Sequence, residues 1–244
     1  MATAYDTWSA RLLADGPVDA LLVGDSVMMV VHGEADTLGA TPEIMALHTR
    51  AVARGAGTKL VVADMPFLAA RRGKEYALDC AAQLVRAGAH AVKVEGIRGH
   101  AAVISHLVES GIPVMGHLGL TPQSVRTFGG FTVQAKTDDD AANLLVDAQA
   151  NAAAGVFGLV LECIPATLAQ KVTAAIPVPT IGIGAGRHCD GQILVLHDLL
   201  GLIPDFKPRF VRRFAKGAKT VQDGVAAYAQ AVRNGTFPTA KEGF

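Results

Sequence analysis

The chain has 244 residues, half of them apolar and only 18% charged, and its 22 Lys and Arg balance 22 Asp and Glu. That length suits one large domain, residues 1–244, with a sizeable core, and the even balance argues against a nucleic-acid partner, which calls for a net basic surface. No run approaches the ~20 apolar residues of a membrane span, Asp6, Arg11 and Asp15 break the opening segment, and Cys80, Cys163 and Cys189 lack metal-finger spacing, so a cytoplasmic protein with no membrane partner is expected.

In chain order, segment 2–6 predicts a short first strand and Thr7–Ala14 a first helix. Asp19–Gly24 predicts the second strand, followed by a long connection, 25–40. Thr41 as N-cap with Pro42 at the first helical position opens a helix that runs to about Arg54 and stops at Gly55. Strand and helix then alternate: Lys59–Ala63 with Lys74–Ala87, Ala91–Val94 with a helix over 100–110, and Pro113–Gly116 with a glycine-rich loop, 119–136, and a helix over 138–154. Gly158–Leu161 pairs with a helix over 165–175, Pro179–Ile183 follows, and Gln192–Leu196 is an eighth strand candidate. A helical segment over about 205–235 ends the pattern, with Phe206, Phe210 and Phe214 four apart and Tyr228 in the helix 221–233.

Five of the apolar runs stop at a polar residue: Asp25, Asp64, Glu95, His117 and Glu162. Short Val-, Leu- and Ile-rich runs are those of strands buried on both faces. Seven or eight βα units with polar residues at nearly every strand end predict an α/β fold, a (β/α)8 TIM barrel in one domain, rather than an open doubly wound sheet, which would concentrate such residues at one switch point.

The same ends suggest the chemistry. Asp25 and Asp64 end neighbouring strands, and two carboxylates without a histidine pair suit a hard ion such as Mg²⁺ that keeps water or substrate oxygens; Glu95 could complete the shell, directly or through water. Lys93 lies two residues before Glu95 and shares its face, where it reads as a clamp for a substrate carboxylate or as an ion-pair partner of Glu95. Glu162 stands across the mouth, walled by Leu161, Cys163 and Ile164, and suits a proton acceptor. His117 is placed to donate to a substrate oxygen. GIGAG at 182–186 fits a tight turn or close substrate approach better than a dinucleotide loop.

These residues lie in motifs by which the chain closely resembles the ketopantoate hydroxymethyltransferase family: TAYD at 3–6, LLVGDS at 21–26, TLGAT at 37–41, HTRAV at 48–52 and VVADMPF at 61–67. AGAHAVKVEG at 87–96, VMGHLGLTPQSV at 114–125, LVLECIP at 159–165 and IGIGAGRHCDGQILVLHDLLGL at 181–202 continue the match in the family's order. The resemblance implies an Mg²⁺-dependent barrel enzyme that uses 5,10-methylenetetrahydrofolate to hydroxymethylate 3-methyl-2-oxobutanoate, in a family commonly decameric, so a homo-oligomer is expected. By motif, Asp25, Asp64 and Glu95 match the metal site, Asp25, Ser26, Asp64 and Lys93 the keto-acid contacts, and Glu162 the proton acceptor. The chain departs from the family in starting almost at TAYD and in its loop FGGFTVQAK at 128–136, where Thr132 replaces a lysine and Ala135 a glycine. Two alternatives are a folate-independent Mg²⁺ lyase or mutase of the phosphoenolpyruvate mutase/isocitrate lyase type, and an impaired barrel kept as a binding or assembly subunit.

Overall fold

The computed structural model describes residues 1–244 apart from Pro204, Phe206 and Ala218. Eight parallel strands follow one another round a curled sheet in sequence order: β1 (Ala2–Thr3), β2 (Ala20–Val23), β3 (Leu60–Asp64), β4 (Ala91–Glu95), β5 (Val114–Gly119), β6 (Gly158–Glu162), β7 (Thr180–Ile183) and β8 (Gly191–Gln192). A bridge between Ala2 and Leu194, with Thr3 N–H donating to the Leu194 carbonyl at 3.1 Å, brings the end of the sheet round to its start. The Tyr228 hydroxyl reinforces that seam, lying 2.8 Å from the Met1 carbonyl and 3.0 Å from that of Gln192. The barrel read from the sequence is the fold observed.

Between the strands run α1 (Thr7–Ala14), α2 (Val27–Val30), α3 (Pro42–Ala53), α4 (Lys74–Arg86), α5 (Ala101–Glu109), α6 (Val125–Phe128), α7 (Asp138–Ala153) and α8 (Ala166–Ala175), and α9 (Leu196–Leu200) and α10 (Val221–Arg233) follow β8. Local chemistry sets where they begin. Thr41 accepts from Ile44 N–H ahead of Pro42, Thr137 caps α7 ahead of three aspartates, and Thr220 with Asp223 forms a reciprocal capping box on α10.

Residues paired across a parallel ladder face the same side of the sheet. The registers Asp64↔Lys93, Glu95↔His117 and Gly119↔Glu162 therefore set these side chains on the inner face, close to the C-terminal strand ends. The alternate residues face the helices: Leu159 and Leu161 are fully buried among Leu144, Ala148, Leu168 and Val172, each contributing about 1.5–3 kcal/mol. Position 116, paired with Leu159 on that outer face, takes a glycine because a Cβ there would meet Asn151 Oδ1 at 2.5 Å.

The expected elements differ from the observed ones mainly at both ends of the sheet, in two connections and before the last helix, and β5 runs on to Gly119 where the sequence predicts a strand over 113–116. β1 ends at Thr3 because Asp6 turns to cap α1, accepting from Ser9 N–H at 2.7 Å. The eighth strand is Gly191–Gln192 rather than 192–196, since Leu196 N–H donates to Thr3 Oγ1 and opens α9. The connections 25–40 and 119–136 each hold a helical turn, α2 and α6. The helix expected from about 205 begins only at Val221; Phe206 lies outside the described residues, and 207–217 run in turns and irregular backbone. Distant partners outweigh local helical bonds there: Arg212 grips Glu242 through two nitrogens at 2.7 and 2.6 Å, Arg209 donates to the Lys241 carbonyl, and Phe214 packs on Tyr228 and Phe237.

Candidate active site

The loop after β2 and the ends of β3 and β4 build one half of the mouth. Asp25, Asp64 and Lys93 are almost wholly buried, as is the side chain of Glu95. Asp64 holds this half together: its Oδ2 accepts from Asp25 N–H at 3.0 Å and its Oδ1 lies 3.0 Å from Lys93 Nζ. Lys93 sits farther from Glu95, at 4.0 Å, so its main ion-pair partner is Asp64 rather than the Glu95 expected from strand spacing. Ser26 turns its hydroxyl to that of Tyr5, 2.9 Å away.

The second half comes from β5 and β6. His117 Nδ1 lies 3.0 Å from Lys93 Nζ and 3.3 Å from Glu95 Oε1, while its Nε2 lies 3.2 Å from Glu162 Oε2. With the ammonium donating to Nδ1, the neutral ring carries its hydrogen on Nε2, toward Glu162. The Glu162 side chain keeps 17% of its surface exposed, against 6% for Glu95. Gly119 makes this approach possible: its φ is +93°, and a Cβ would collide with the Glu162 carbonyl.

Electrostatics follow from three acids facing one ammonium. Burial, reinforced by Asp64 and Glu95, pushes the Asp25 carboxyl well above the usual carboxylate range. Burial lifts Glu95 to about 7 against the pull of Lys93, with Asp64 adding to the rise. For Lys93 burial disfavours the charge, but Asp64, Glu95 and Asp25 together overcome it and hold the ammonium. Burial, and secondarily Lys93, pushes His117 below its ordinary value, so the ring is neutral at pH 7.

Among the described residues, no three His, Cys, Asp or Glu side chains converge into a metal shell by themselves. Glu95 does not close a three-carboxylate shell with Asp25 and Asp64, because Lys93 stands beside Asp64 and the Gln123 amide caps Asp25 Oδ2 at 2.9 Å. Asp64 Oδ1, Glu95 Oε1 and His117 Nε2 are nonetheless buried without an aligned hydrogen-bond partner. Asp64 Oδ1 is met by the Lys93 ammonium at 3.0 Å and His117 Nε2 faces Glu162 at 3.2 Å, so Glu95 Oε1, 4.0 Å from that ammonium, is the least served of the three; a buried acceptor left unpaired costs about 1–3 kcal/mol.

The ketopantoate hydroxymethyltransferase family model matches residues 1–240. This chain belongs to that family. It is 48% identical over 244 residues to the 3-methyl-2-oxobutanoate hydroxymethyltransferase of Bdellovibrio bacteriovorus, covering all of this chain and 93% of the relative. It is 52% identical over 236 residues to the enzyme of that name from Pyrobaculum islandicum, covering 97% and 90%. Among solved structures it resembles a phosphonopyruvate hydrolase in complex with oxalate and Mg²⁺ (TM-score 0.64, 12% identity, 99% and 87% covered). It also resembles a phosphonomutase-like protein of Burkholderia cenocepacia (TM-score 0.60, 21% identity, 79% and 85% covered). At those identities the likeness is one of fold.

For this member of the family, the structure brings Asp25, Asp64, Lys93, Glu95, His117 and Glu162 into one connected cluster, with Ser26 at its edge. Reading by residue type assigned no role to Gln123 or Tyr5, although both lie in quoted motifs. Neither carries charge, and their value comes from where the loop after β5 and the end of β1 place them. The GIGAG stretch is a tight turn packed on the chain itself: a Cβ at Gly186 would collide with Ala166.

Proposed function

We propose that this chain transfers a hydroxymethyl group from 5,10-methylenetetrahydrofolate to 3-methyl-2-oxobutanoate, giving 2-dehydropantoate in the first committed step of pantothenate synthesis. The observation that carries the reading is the connected inner-face cluster Asp64–Lys93–His117–Glu162, occurring in a chain about half identical to enzymes of that name. Asp25, Asp64 and Glu95 set three buried acids against the one ammonium of Lys93, two of them held above the usual carboxylate range, and Glu95 Oε1 lacks an aligned donor. A divalent oxygen-seeking ion fits that donor set, with Asp25 and Asp64 as ligands and Glu95 in support. When bound, Mg²⁺ supplies positive charge that polarises the keto-acid oxygens.

The chain's own residues do the rest. Lys93, held between Asp64 and His117, presents its ammonium to the substrate carboxylate. Ser26, backed by Tyr5, offers a hydroxyl at the edge of the same half. Glu162 accepts the C3 proton, steered by the Nε2–H of a neutral His117. The electron pair left on C3 forms the new C–C bond to the one-carbon unit while its two C–N bonds to the folate are given up; water supplies the hydroxyl, and the folate nitrogens take the remaining water proton and the proton that Glu162 removed. A cleft of about 380 Å³, lined by Gly119, Phe128, Gln134, Ala135 and Asn143 among others, opens between the loop after β5 and α7, and the Gln134 N–H on its wall donates to the Cys163 carbonyl just after β6. It is the space for the folate carrier, within the usual range of ligand sites.

The protein is further proposed to be a cytoplasmic homo-oligomer. No helix among the described residues is long and apolar enough to cross a membrane, and Trp8 and Leu47, on packed helices α1 and α3, are 63% and 60% exposed; analytical ultracentrifugation tests the assembly. For activity, NMR of 3-methyl-2-oxobutanoate with and without Mg²⁺ and methylenetetrahydrofolate should show 2-dehydropantoate only with both. A substrate cleaved or rearranged without the carrier would instead make this a lyase or mutase.

A further inference from the structure

The loop after β5 places one uncharged side chain across the acidic half of the mouth. A 3-10 turn, Pro122–Ser124, follows the strand directly, and Leu120 N–H ties its start to the Glu162 carbonyl at 2.8 Å. Gln123 in that turn reaches three strand ends at once. Its Nε2 donates to Asp25 Oδ2 at 2.9 Å and to the Met65 carbonyl at 2.9 Å, and its backbone N–H donates to Glu95 Oε2 at 3.0 Å.

An amide NH₂ carries two hydrogens in a fixed plane. Anchoring one on the immobile Met65 carbonyl therefore aims the other, which leaves the Asp25 carboxylate one favoured orientation. The backbone N–H does the same for Glu95 from the same residue. Glutamine suits the task better than lysine or arginine would, because it orients two acids without neutralising either and so leaves their charge to attract a cation.

We propose that Gln123 is a positioning residue that sets the orientation of Asp25, and through its backbone the spacing of Asp25 from Glu95, for divalent-cation binding. The inference rests on the metal reading under Proposed function. Outer-shell partners of this kind typically change metal affinity by about 10- to 100-fold. Gln123→Met keeps the length and the backbone N–H while removing both amide hydrogens; Gln123→Ala removes the side chain.

The test is calorimetric titration of Mg²⁺ into each protein in the presence of 3-methyl-2-oxobutanoate, alongside a thermal melt and the Mg²⁺ dependence of turnover. Both variants are expected to bind Mg²⁺ about 10- to 100-fold more weakly, melt within a few degrees of wild type, and regain most of the wild-type rate at saturating Mg²⁺. A role confined to tying down the loop would lower the melting point and leave the Mg²⁺ constant unmoved. That result, or tighter Mg²⁺ binding in either variant, overturns the proposal. A wild-type protein that binds no Mg²⁺ overturns the metal reading itself, and this inference with it.

Discussion

The two halves of the mouth are built on opposite principles. The β2–β4 half, with Asp25, Asp64, Lys93 and Glu95, is closed, rich in ionisable groups and interlocked, Asp25 and Lys93 each 3.0 Å from Asp64 and Glu95 4.0 Å from Lys93. The β5–β6 half, with His117 and Glu162, is neutral at its histidine, partly open at its glutamate, and adjoins the cleft lined by Ala135. A site that must grip a small α-keto acid monoanion needs the first arrangement. A site that must exchange a proton and admit a bulky second substrate needs the second. Substitutions on the two sides should therefore fail in different ways.

The largest effect is expected from Asp64→Ala. It removes a proposed ligand, frees Asp25 N–H and leaves Lys93 without its nearest counter-charge. Breaking a buried pair in that manner costs about 3–5 kcal/mol, so activity at ordinary Mg²⁺ should vanish and the melting point fall. Calorimetry showing Mg²⁺ and keto-acid binding as in wild type would break the assignment of the closed half. Lys93→Ala should come next, raising the keto-acid KM by about 10- to 100-fold, the loss of one charge-assisted hydrogen bond. If the folate constant moves instead, Lys93 serves the other half.

Stability against pH separates the halves without any mutation. In chelated protein, Glu95 retains its proton up to about 7, whereas the unfolded chain releases it near 4.5. At Glu95 the folded state then binds more protons than the unfolded state, so this group's share of stability should fall as pH rises from 4.5 through 7, while His117, held below its ordinary value, works in the opposite sense. Saturating Mg²⁺ should abolish that fall. The gap between the Mg²⁺-saturated and the chelated protein should therefore widen as pH rises, and two stability curves that run parallel over that window would show that the buried acids are not under strain.

The smallest effect concerns the open half. Ala135 has φ +53°, a left-handed conformation that costs a residue with a Cβ about 1–2 kcal/mol. Ala135→Gly should raise the melting temperature by about 2–4 °C at this chain length, without altering Mg²⁺ or keto-acid binding. A drop would show that the methyl packs favourably in the cleft wall.

How much of this was legible in the sequence follows the same division. The strand-end acids announce themselves, since a charged residue closing a buried apolar run has few structural reasons to be there, and the barrel follows from the βα repeat. Lys93 was legible as a buried cation but not its choice of Asp64 over Glu95, because same-strand spacing is visible in sequence whereas cross-strand register is not. Gln123 escaped notice because a glutamine in a loop gives no signal until the chain folds it over Asp25. The segment before Val221 misled through its phenylalanine spacing, where Arg212 and Phe214 answer to Glu242, Tyr228 and Phe237 rather than to helical neighbours.

The central claim is that the closed half binds and the open half moves the proton. Exchange of the C3 hydrogen of 3-methyl-2-oxobutanoate into deuterated water, followed by NMR with Mg²⁺ present and the folate omitted, tests it most directly. Glu162→Gln preserves shape but cannot accept a proton, so it should bind Mg²⁺ and keto acid as wild type does while exchange, measurable in the wild type, slows by about 100-fold or more. Exchange in the variant at the wild-type rate would contradict the account and move the proton acceptor elsewhere in the mouth.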